Sequence, residues 1–455
     1  MRSSTSPSIH ITTLGCSKNQ VDSDKVSAML HQAGYRSAGS PEEADVVMVN
    51  TCAFIEAARA ESVETILDLE DARAEGARLV VMGCMAQRFG TELEEALTGV
   101  DAVVGLDRYG ELVGMLDSMT DWSPVRIGPR RSPMDILDLA HRPTPVFPYA
   151  YVKVAEGCDK TCAFCAIPLI RGPQRSRRPT SIRDEIGGLC RAGVSEIVLV
   201  AQDLAAYGRD IGVATRDTIV DLLRFVSDVD ELVRIRLLYL YPTEIRPPLI
   251  EEMVTNPRLA PYFDLSLQHA SRRLLRSMRR PGSTASHLRL ITRIRDADPD
   301  AALRSSFVVG YPGETDEDVD ELIDFLGEAE LDWAGFFPYS PEAGTAAVDL
   351  PGRIDPDEVT DRVRELSRVQ EGITARRNAE QVGRRHKVLV DQVEDGVPVG
   401  RSYREAPDID GMICLDYGSP GEWLEVEITG SYETDLTGEV RSRAIEDPVG
   451  SGRAK

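Results

Sequence analysis

Six of the eight cysteines fall into two patterns that could hold iron. Cys158, Cys162 and Cys165 form a C-x3-C-x2-C run inside Gly157-Cys158-Asp159-Lys160-Thr161-Cys162-Ala163-Phe164-Cys165. Three thiolates on one short loop can each take one iron of a [4Fe–4S] cube, which leaves one iron open to a small chelating ligand. A zinc site is the competing use of such thiols. Zinc favours four ligands, usually paired C-x2-C units, whereas this loop offers three and no neighbouring His. The second pattern is dispersed. Cys16, Cys52 and Cys84 follow three short apolar runs, Ile9–Thr13, Asp45–Asn50 and Leu79–Met82. In a parallel sheet the carboxyl ends of the strands share one edge, where ligands bind, so cysteines about 35 residues apart can converge there. Gly15 and Gly83 precede two of them and would let backbone approach a bound group closely. The plainer reading of these three is buried thiols, a common fate of Cys. Cys190, on the apolar face of a helix ending at Gly193, and Cys414, in an expected strand, read as core residues.

The elements that must carry these thiols alternate strand and helix. In the first stretch, helices are expected at Val21–Leu30 and from about Glu56 to Leu69, then around Glu92–Leu97, with a further strand at Ala102–Val104. This alternation implies a parallel sheet with helices on both faces. Residues 122–147 carry Pro124, Pro129, Pro133, Pro143 and Pro145 and read as a linker. A second alternating region offers strands at Tyr149–Ala155, Ile197–Ala201, Arg234–Leu240, Asp264–Leu267, Leu303–Val309 and Trp333–Phe337. Helical patterns lie between them at Ile182–Arg191, Thr218–Val226, Leu288–Arg295 and Asp316–Leu326, and a long charged helix, Asp357–Gln381, follows. This describes a partial β/α barrel, whose sites sit at the C-terminal strand ends. From Arg384 the period changes to five short strands with Gly and Pro turns, a small OB-like β-barrel. The expected layout is an α/β N-terminal cluster domain (1–121), the linker, the partial barrel (148–382), the small β-barrel (383–449) and a disordered tail (450–455).

Bulk properties narrow the class. The chain has 455 residues, 42% hydrophobic and 28% charged, which fits a multidomain globular protein. Met1–His10 has one Arg and no apolar run, so no signal peptide is expected, and no apolar stretch is long enough for a membrane span. A cytoplasmic location follows as the expectation, and clustered cysteines in a reducing compartment more often bind metal than pair. The net charge of −23 repels nucleic acid over long range, which lowers the prospect of such a partner unless a basic patch offsets it. No DNA or membrane partner is expected.

The C-x3-C-x2-C spacing, with Phe164 just before the last Cys, is the signature of radical S-adenosylmethionine (SAM) enzymes. Nearly the whole chain resembles the methylthiotransferase family of those proteins, through TLGCSKNQVDSD (Thr13–Asp24), NTCAFIEAA (Asn50–Ala58), GCMAQR (Gly83–Arg88), GCDKTCAFCAIP (Gly157–Pro168) and RGPQRSR (Arg171–Arg177). SLQHAS (Ser266–Ser271), MRRPG (Met278–Gly282) and FVVGYPGET (Phe307–Thr315) continue it. The resemblance implies a cluster domain, a radical SAM domain and a C-terminal TRAM domain. One group of the family modifies an adenosine of transfer RNA. The other, the RimO type, modifies an aspartate of small-subunit ribosomal protein twelve. KNQVDSD, SLQHAS and FFPYSPEAGT (Phe336–Thr345) look like the latter, since the transfer-RNA group has a QMN-like stretch and PVQSGS at the first two places. Charge agrees: Arg384–Gly450 holds seven Lys and Arg against fifteen Asp and Glu, whereas an OB-like module gripping RNA lines its groove with positive charge.

The resemblance implies two [4Fe–4S] clusters, one on each cysteine set, and SAM as both radical source and methyl donor. A ribosomal protein or subunit would be the substrate, with a low-potential electron donor and a sulfur source as further partners. Gln202, Asp203 and Gln268 end strands where SAM would be touched, Arg304 opens the strand that leads to Gly310, Gly310 and Gly313 could admit the adenine, and Phe164 could stack on it. Polar pairing inside the barrel is the competing use of Gln268 and Arg304. His269 reads as lining the mouth. Arg171–Arg178 and Arg272, Arg273, Arg276, Arg279 and Arg280 read either as a surface for RNA or a carboxylate, or as solvated faces. A non-enzymatic iron–sulfur or zinc scaffold with an RNA-binding tail is the remaining alternative.

Overall fold

A computed structural model describes residues 6–117, 125–126, 134–211 and 218–444. The expected tail 450–455 and much of the 122–147 segment lie outside the described residues. In the first domain the apolar runs are strands: β1 (Ser8–Thr13), β2 (Arg36–Ser37), β3 (Val46–Thr51), β4 (Arg78–Gly83), β5 (Ala102–Val104) and β6 (Val125–Arg126). They pair in parallel in the order β2-β1-β3-β4-β5-β6. Every residue of β3 is buried, as a strand covered on both faces requires. The covering helices are α1 (Ser17–Gln32), α2 (Glu56–Ala72), α3 (Cys84–Ala96) and α4 (Leu112–Asp117). Two expectations change here. The third helix begins at Cys84 itself, and the 122–147 segment contributes β6 to the sheet, followed by the short α5 (Met134–Leu137).

The central domain runs β7 (Tyr149–Lys153), β8 (Ala155–Glu156), α6 (Ile167–Arg171), β9 (Arg175–Ser176), α7 (Pro179–Arg191), β10 (Glu196–Val200), α8 (Thr218–Ser227), β11 (Arg234–Leu237), α9 (Pro247–Thr255), β12 (Tyr262–Gln268), α10 (Arg272–Ser277), α11 (Thr284–Ala297), β13 (Ala302–Val309), α12 (Asp316–Ala329), β14 (Trp333–Pro338) and α13 (Pro356–Ala379). The six expected strands are all present, in two hydrogen-bonded triplets, β7-β10-β11 and β12-β13-β14. Isolated bridges, Ile235 to Leu259 and Leu240 to Leu265, join them. The break falls where Tyr239 adopts a left-handed backbone, φ 64°, which turns the chain out of the extended path. Alternate residues set the two faces. Leu303, Phe307 and Val309 pack under the helices, while Ala302 shares an inner cluster with Val198, Val200 and Tyr262.

The third domain is a closed barrel, β15 (Arg385–Glu394), β16 (Val397–Arg401), β17 (Ile413–Leu415), β19 (Asp435–Arg443) and β18 (Trp423–Tyr432) in spatial order. It docks on the N-terminal ends of the central strands: Arg234 donates to the carbonyls of Lys387 and Ser402, Arg236 to that of Tyr403, and Trp423 Nε1 to Ser195 Oγ. The opposite, C-terminal end faces the first domain.

Candidate active site

Three strands of the first domain, β1, β3 and β4, each deliver one thiol to the sheet's C-terminal edge. Cys16 caps α1, Cys84 is the first residue of α3, and Cys52 follows β3. Two of the three therefore sit at helix N-termini, where the macrodipole favours a thiolate. Asn19 and Asn50 lace the edge together. Asn19 Nδ2 donates to the carbonyls of Leu14 (2.9 Å) and Thr51 (3.1 Å), and Asn50 Nδ2 to that of Asn19 (2.9 Å). Ser62 of α2 holds both the N–H and the carbonyl of Cys52. A Cβ on Gly15 would stand 2.9 Å from Cys52 Sγ, and one on Gly83, φ 101°, would stand 2.4 Å from Asn50 Oδ1, so both positions exclude larger residues. The three thiols are close enough to feel one another. Burial first, then Cys52 and Cys16, pushes Cys84 up to about 12, while Lys18 and Arg171 outweigh burial and hold Cys16 below its ordinary value.

The loop triad is built differently. Gly157, φ 78°, has Pro173 O only 2.2 Å from where a Cβ would be, and Cys158 N–H bonds the carbonyl of Gly172 at 3.0 Å. Ala163 is pinned by Met278 O, and Cys165 N–H closes on Cys162 O. Burial pushes Cys158 up to about 11 and Cys165 up to about 12, and each feels Cys162. Among the described residues no three His, Cys, Asp or Glu side chains close around a single ion. A cube places each thiolate on its own iron and asks for a wider spacing.

The polar candidates divide. Gln202 Nε2 donates to Glu156 Oε1 at 3.0 Å, and its buried Oε1 accepts nothing. Asp203 is raised by burial; the ammonium of Lys160 lies 3.4 Å away, yet neither Asp203 oxygen accepts a hydrogen bond. Gln268 ends β12 with φ 73°, a strained conformation at the mouth. Phe164 packs against Leu274, Leu275, Met278 and Tyr311. Arg304 lies elsewhere. It faces the lower interior, bonded to Asp264 (3.0 Å) and to Asp410 of the third domain (3.2 Å), roughly 20 Å along the strand from Gly310. The polar pairing weighed for it is what the structure contains. Gly310 is open for another reason, since its Cβ would meet Val359 of α13 at 2.4 Å, and it serves helix packing. His269 is fully buried, with Nδ1 accepting from Ser271 N–H, and does not line the mouth.

The basic runs change most. Arg171 and Arg177 are buried, and so is Arg280, whereas Arg272, Arg273, Arg276 and Arg279 are exposed around the apolar Leu274, Leu275 and Met278. Arg171 bridges the domains. One terminal nitrogen bonds both Glu156 oxygens (3.0 Å each) and Asp22 (3.1 Å), and the other bonds Asn19 Oδ1 (2.6 Å) and Cys84 Sγ (3.2 Å). Burial opposes ionisation of Glu156, but Arg171 and Lys153 hold its carboxyl well below the usual range. Arg280 Nη1 lies 3.4 Å from Cys162 Sγ, and its guanidinium stacks 4.1 Å from the Tyr241 ring centre. A chain of contacts thus runs from Cys84 through Arg171 and Glu156 to Gln202.

Comparison with known proteins accounts for all three domains. Residues 8–105 match the family described as Uncharacterized protein family UPF0004, 152–326 the Radical SAM superfamily, and 382–440 the TRAM domain. The ribosomal protein uS12 methylthiotransferase RimO of Moorella thermoacetica is 41% identical over 95% of this chain and 99% of its own length. That of Symbiobacterium thermophilum is 42% identical over 96% and 92%, and that of Saccharopolyspora erythraea 39% over 94% of each. This chain belongs to the uS12 methylthiotransferase family. It is a radical SAM sulfur-group transferase by that membership. A radical SAM methyltransferase from Kitasatospora setae, TsrM, solved with cobalamin and a [4Fe–4S] cluster, shares the fold, with TM-score 0.56 and 14% identity over 76% of this chain and 74% of that one.

For a uS12 methylthiotransferase, the donor chemistry at both triads fits iron–sulfur cubes. Each offers three thiols with no carboxylate among them, and each has a buried arginine within hydrogen-bond reach of one sulfur. Sequence reading named both arginines only as a surface for RNA or a carboxylate, or as solvated faces, because their sulfur partners lie far away in the chain. Among the described residues no helix is long and apolar enough to cross a membrane.

Proposed function

We propose that the protein inserts a methylthio group at the β-carbon of an aspartate in ribosomal protein uS12. Cys158, Cys162 and Cys165 would hold one [4Fe–4S] cluster, Cys16, Cys52 and Cys84 the other, and SAM would serve as radical source and methyl donor. What supports this reading is the buried Arg171, which reaches Cys84 Sγ of one triad and also Glu156, two residues before Cys158 of the other. When bound, the clusters and SAM supply the one-electron and sulfur chemistry that an unactivated C–H bond demands. This chain's residues orient and enclose that chemistry. Gln202 Oε1 is a buried acceptor without a donor, and the buried Asp203 carboxylate has only the Lys160 ammonium near it, at 3.4 Å; both would suit the amino group of SAM. Gln268 and Phe164 would line the same subsite. Arg171 and Arg280 face the sulfurs of Cys84 and Cys162, where a buried cation stabilises negative charge.

The acidic third domain argues against transfer RNA as substrate, since such a grip draws its affinity from Lys and Arg. Anaerobic reconstitution should yield about eight irons, two cubes of four, and mass spectrometry should find a methylthio-aspartate in a uS12 loop peptide. A strain lacking the gene whose uS12 aspartate stays modified, while a transfer-RNA adenosine loses its methylthio group, would overturn the assignment. So would tightly bound zinc without SAM cleavage.

A further inference from the structure

α10 and the residues just after it have one apolar side and one side of arginine. Leu274, Leu275 and Met278 turn inward and share a buried cluster with Ala163 and Tyr311, against which Phe164 packs. Arg272, Arg276 and Arg279 face solvent. Among the described residues none of these three side chains makes an ion pair or a hydrogen bond. Arg279 feels the Tyr311 phenol, which burial keeps neutral. Arg273 is different, tied to Asp318 and to the carbonyl of Gly313. Arg279 also takes a left-handed backbone, φ 56°, at a helix end where glycine is the usual occupant. Beneath this patch lies the loop triad. Met278 O accepts from Ala163 N–H at 2.9 Å, and Arg280, next along the chain, reaches Cys162 Sγ at 3.4 Å. A group resting on the outer side of α10 is therefore separated from the cysteine loop by little more than one helix, about 10 Å across.

We propose that Arg272, Arg276 and Arg279 form the docking surface for an acidic one-electron carrier protein that reduces the cluster on Cys158, Cys162 and Cys165. This role rests on the cluster assignment proposed above and supplies the partner which that assignment leaves open. In the step served, the carrier's low-potential centre loses one electron and the cluster gains it; no bond forms or breaks. Electron transfer falls steeply with distance, so the carrier must rest where the protein over the cluster is thin. Charge selects the same place. The chain carries −23 overall, so an acidic carrier is repelled from most of the surface and drawn to arginines that no carboxylate neutralises. Glu317 and Asp318 close the patch on the Arg273 side, which suits a compact contact. Placement over the cysteine loop favours a carrier over a nucleic-acid backbone, which would gain nothing from it.

The test uses the reconstituted holoenzyme and, as probe, an acidic two-cluster bacterial ferredoxin. Calorimetry reads binding of the oxidised ferredoxin, and stopped-flow absorbance reads cluster reduction by the reduced form. In native enzyme both should weaken steeply as salt is raised. The triple variant Arg272→Gln, Arg276→Gln, Arg279→Gln should bind about tenfold more weakly, the combined weight of three exposed charge pairs, and be reduced correspondingly more slowly. Its iron content, SAM affinity and reduction by photoreduced deazaflavin, a small molecule, should stay native. The three matching Lys substitutions should restore most of the binding. Absent or salt-independent ferredoxin binding, or a Gln variant that binds and is reduced like native enzyme, would sink the proposal. So would a Gln variant that keeps ferredoxin reduction and modifies free uS12 but fails on assembled small subunits, since the arginines would then hold ribosomal RNA. Native holoenzyme that ferredoxin reduces, and that cleaves SAM yet leaves uS12 untouched, would overturn the substrate reading and leave the docking surface standing.

Discussion

The two thiol triads reach similar ends by opposite routes. Cys158, Cys162 and Cys165 share one loop, and their spacing is a property of a few consecutive residues fixed by Gly157 and a handful of backbone hydrogen bonds. Cys16, Cys52 and Cys84 are brought together only when β1, β3 and β4 pair in register, Thr13 beside Asn50 and Asn50 beside Met82. The loop triad is local and half-buried, whereas Cys52 and Cys84 are buried. A site made by tertiary assembly should be lost when the sheet is strained; a site made by a loop should survive.

The sharpest test removes one thiol from each. Cys162→Ala should abolish reductive SAM cleavage, read as deoxyadenosine by chromatography. Cys52→Ala should leave some cleavage while stopping sulfur insertion, with iron falling from about eight to about four per chain. Complete loss of both activities in the Cys52 variant would mean that the triads are not separable.

The second prediction attacks the bridge. Arg171→Met leaves Glu156 and Asp22 buried beside Lys153 alone, and removing one partner of a buried ion network costs about 3–5 kcal/mol. Denaturant unfolding should show that loss, and the Cys16–Cys52–Cys84 triad should lose iron before the loop triad does. An unchanged unfolding midpoint would show that the bridge is not holding the domains.

Gly83→Ala is milder and more specific. The residue sits at φ 101° with Thr51 backbone within 2.7 Å of the added carbon, so strain of about 1–3 kcal/mol is expected, together with loss of iron at that triad. Gly76→Ala, at φ 81° with nothing nearby, should cost about 1 kcal/mol and spare the iron. Equal effects would remove the distinction drawn for the sheet edge.

The smallest effect is in reactivity. In cluster-free protein, Cys16 is held low by Lys18 and Arg171 against burial, whereas burial pushes Cys84 and Cys165 up to about 12. The thiolate is the nucleophile, so Cys16 should alkylate first near neutrality, and raising the pH should speed Cys84 and Cys165 more than Cys16. Mass-spectrometric labelling that found Cys84 fastest would contradict this order.

All six cysteines, and the strands before three of them, were legible from residue type and spacing. So were the long helix and the five strands of the last domain, because apolar periodicity and Gly or Pro turns are local signals. Arg304 and Gly310 misled for one reason: position along a strand does not tell which partner arrives, and Asp410 and Val359 come from distant segments. Arg171 and Arg280 looked like solvated or RNA-facing charge and are instead buried beside sulfur.

Chain order by itself thus determined which thiols stand at the strand ends and on the loop, since Cys identity and its place in the sequence are written residue by residue. Tertiary structure alone decided which charges stand beside those thiols. Desolvation and ion pairing act over a few ångströms in space, and Cys84 meets Arg171, and Lys18 meets Tyr239, only after the sheet and the barrel have closed on each other.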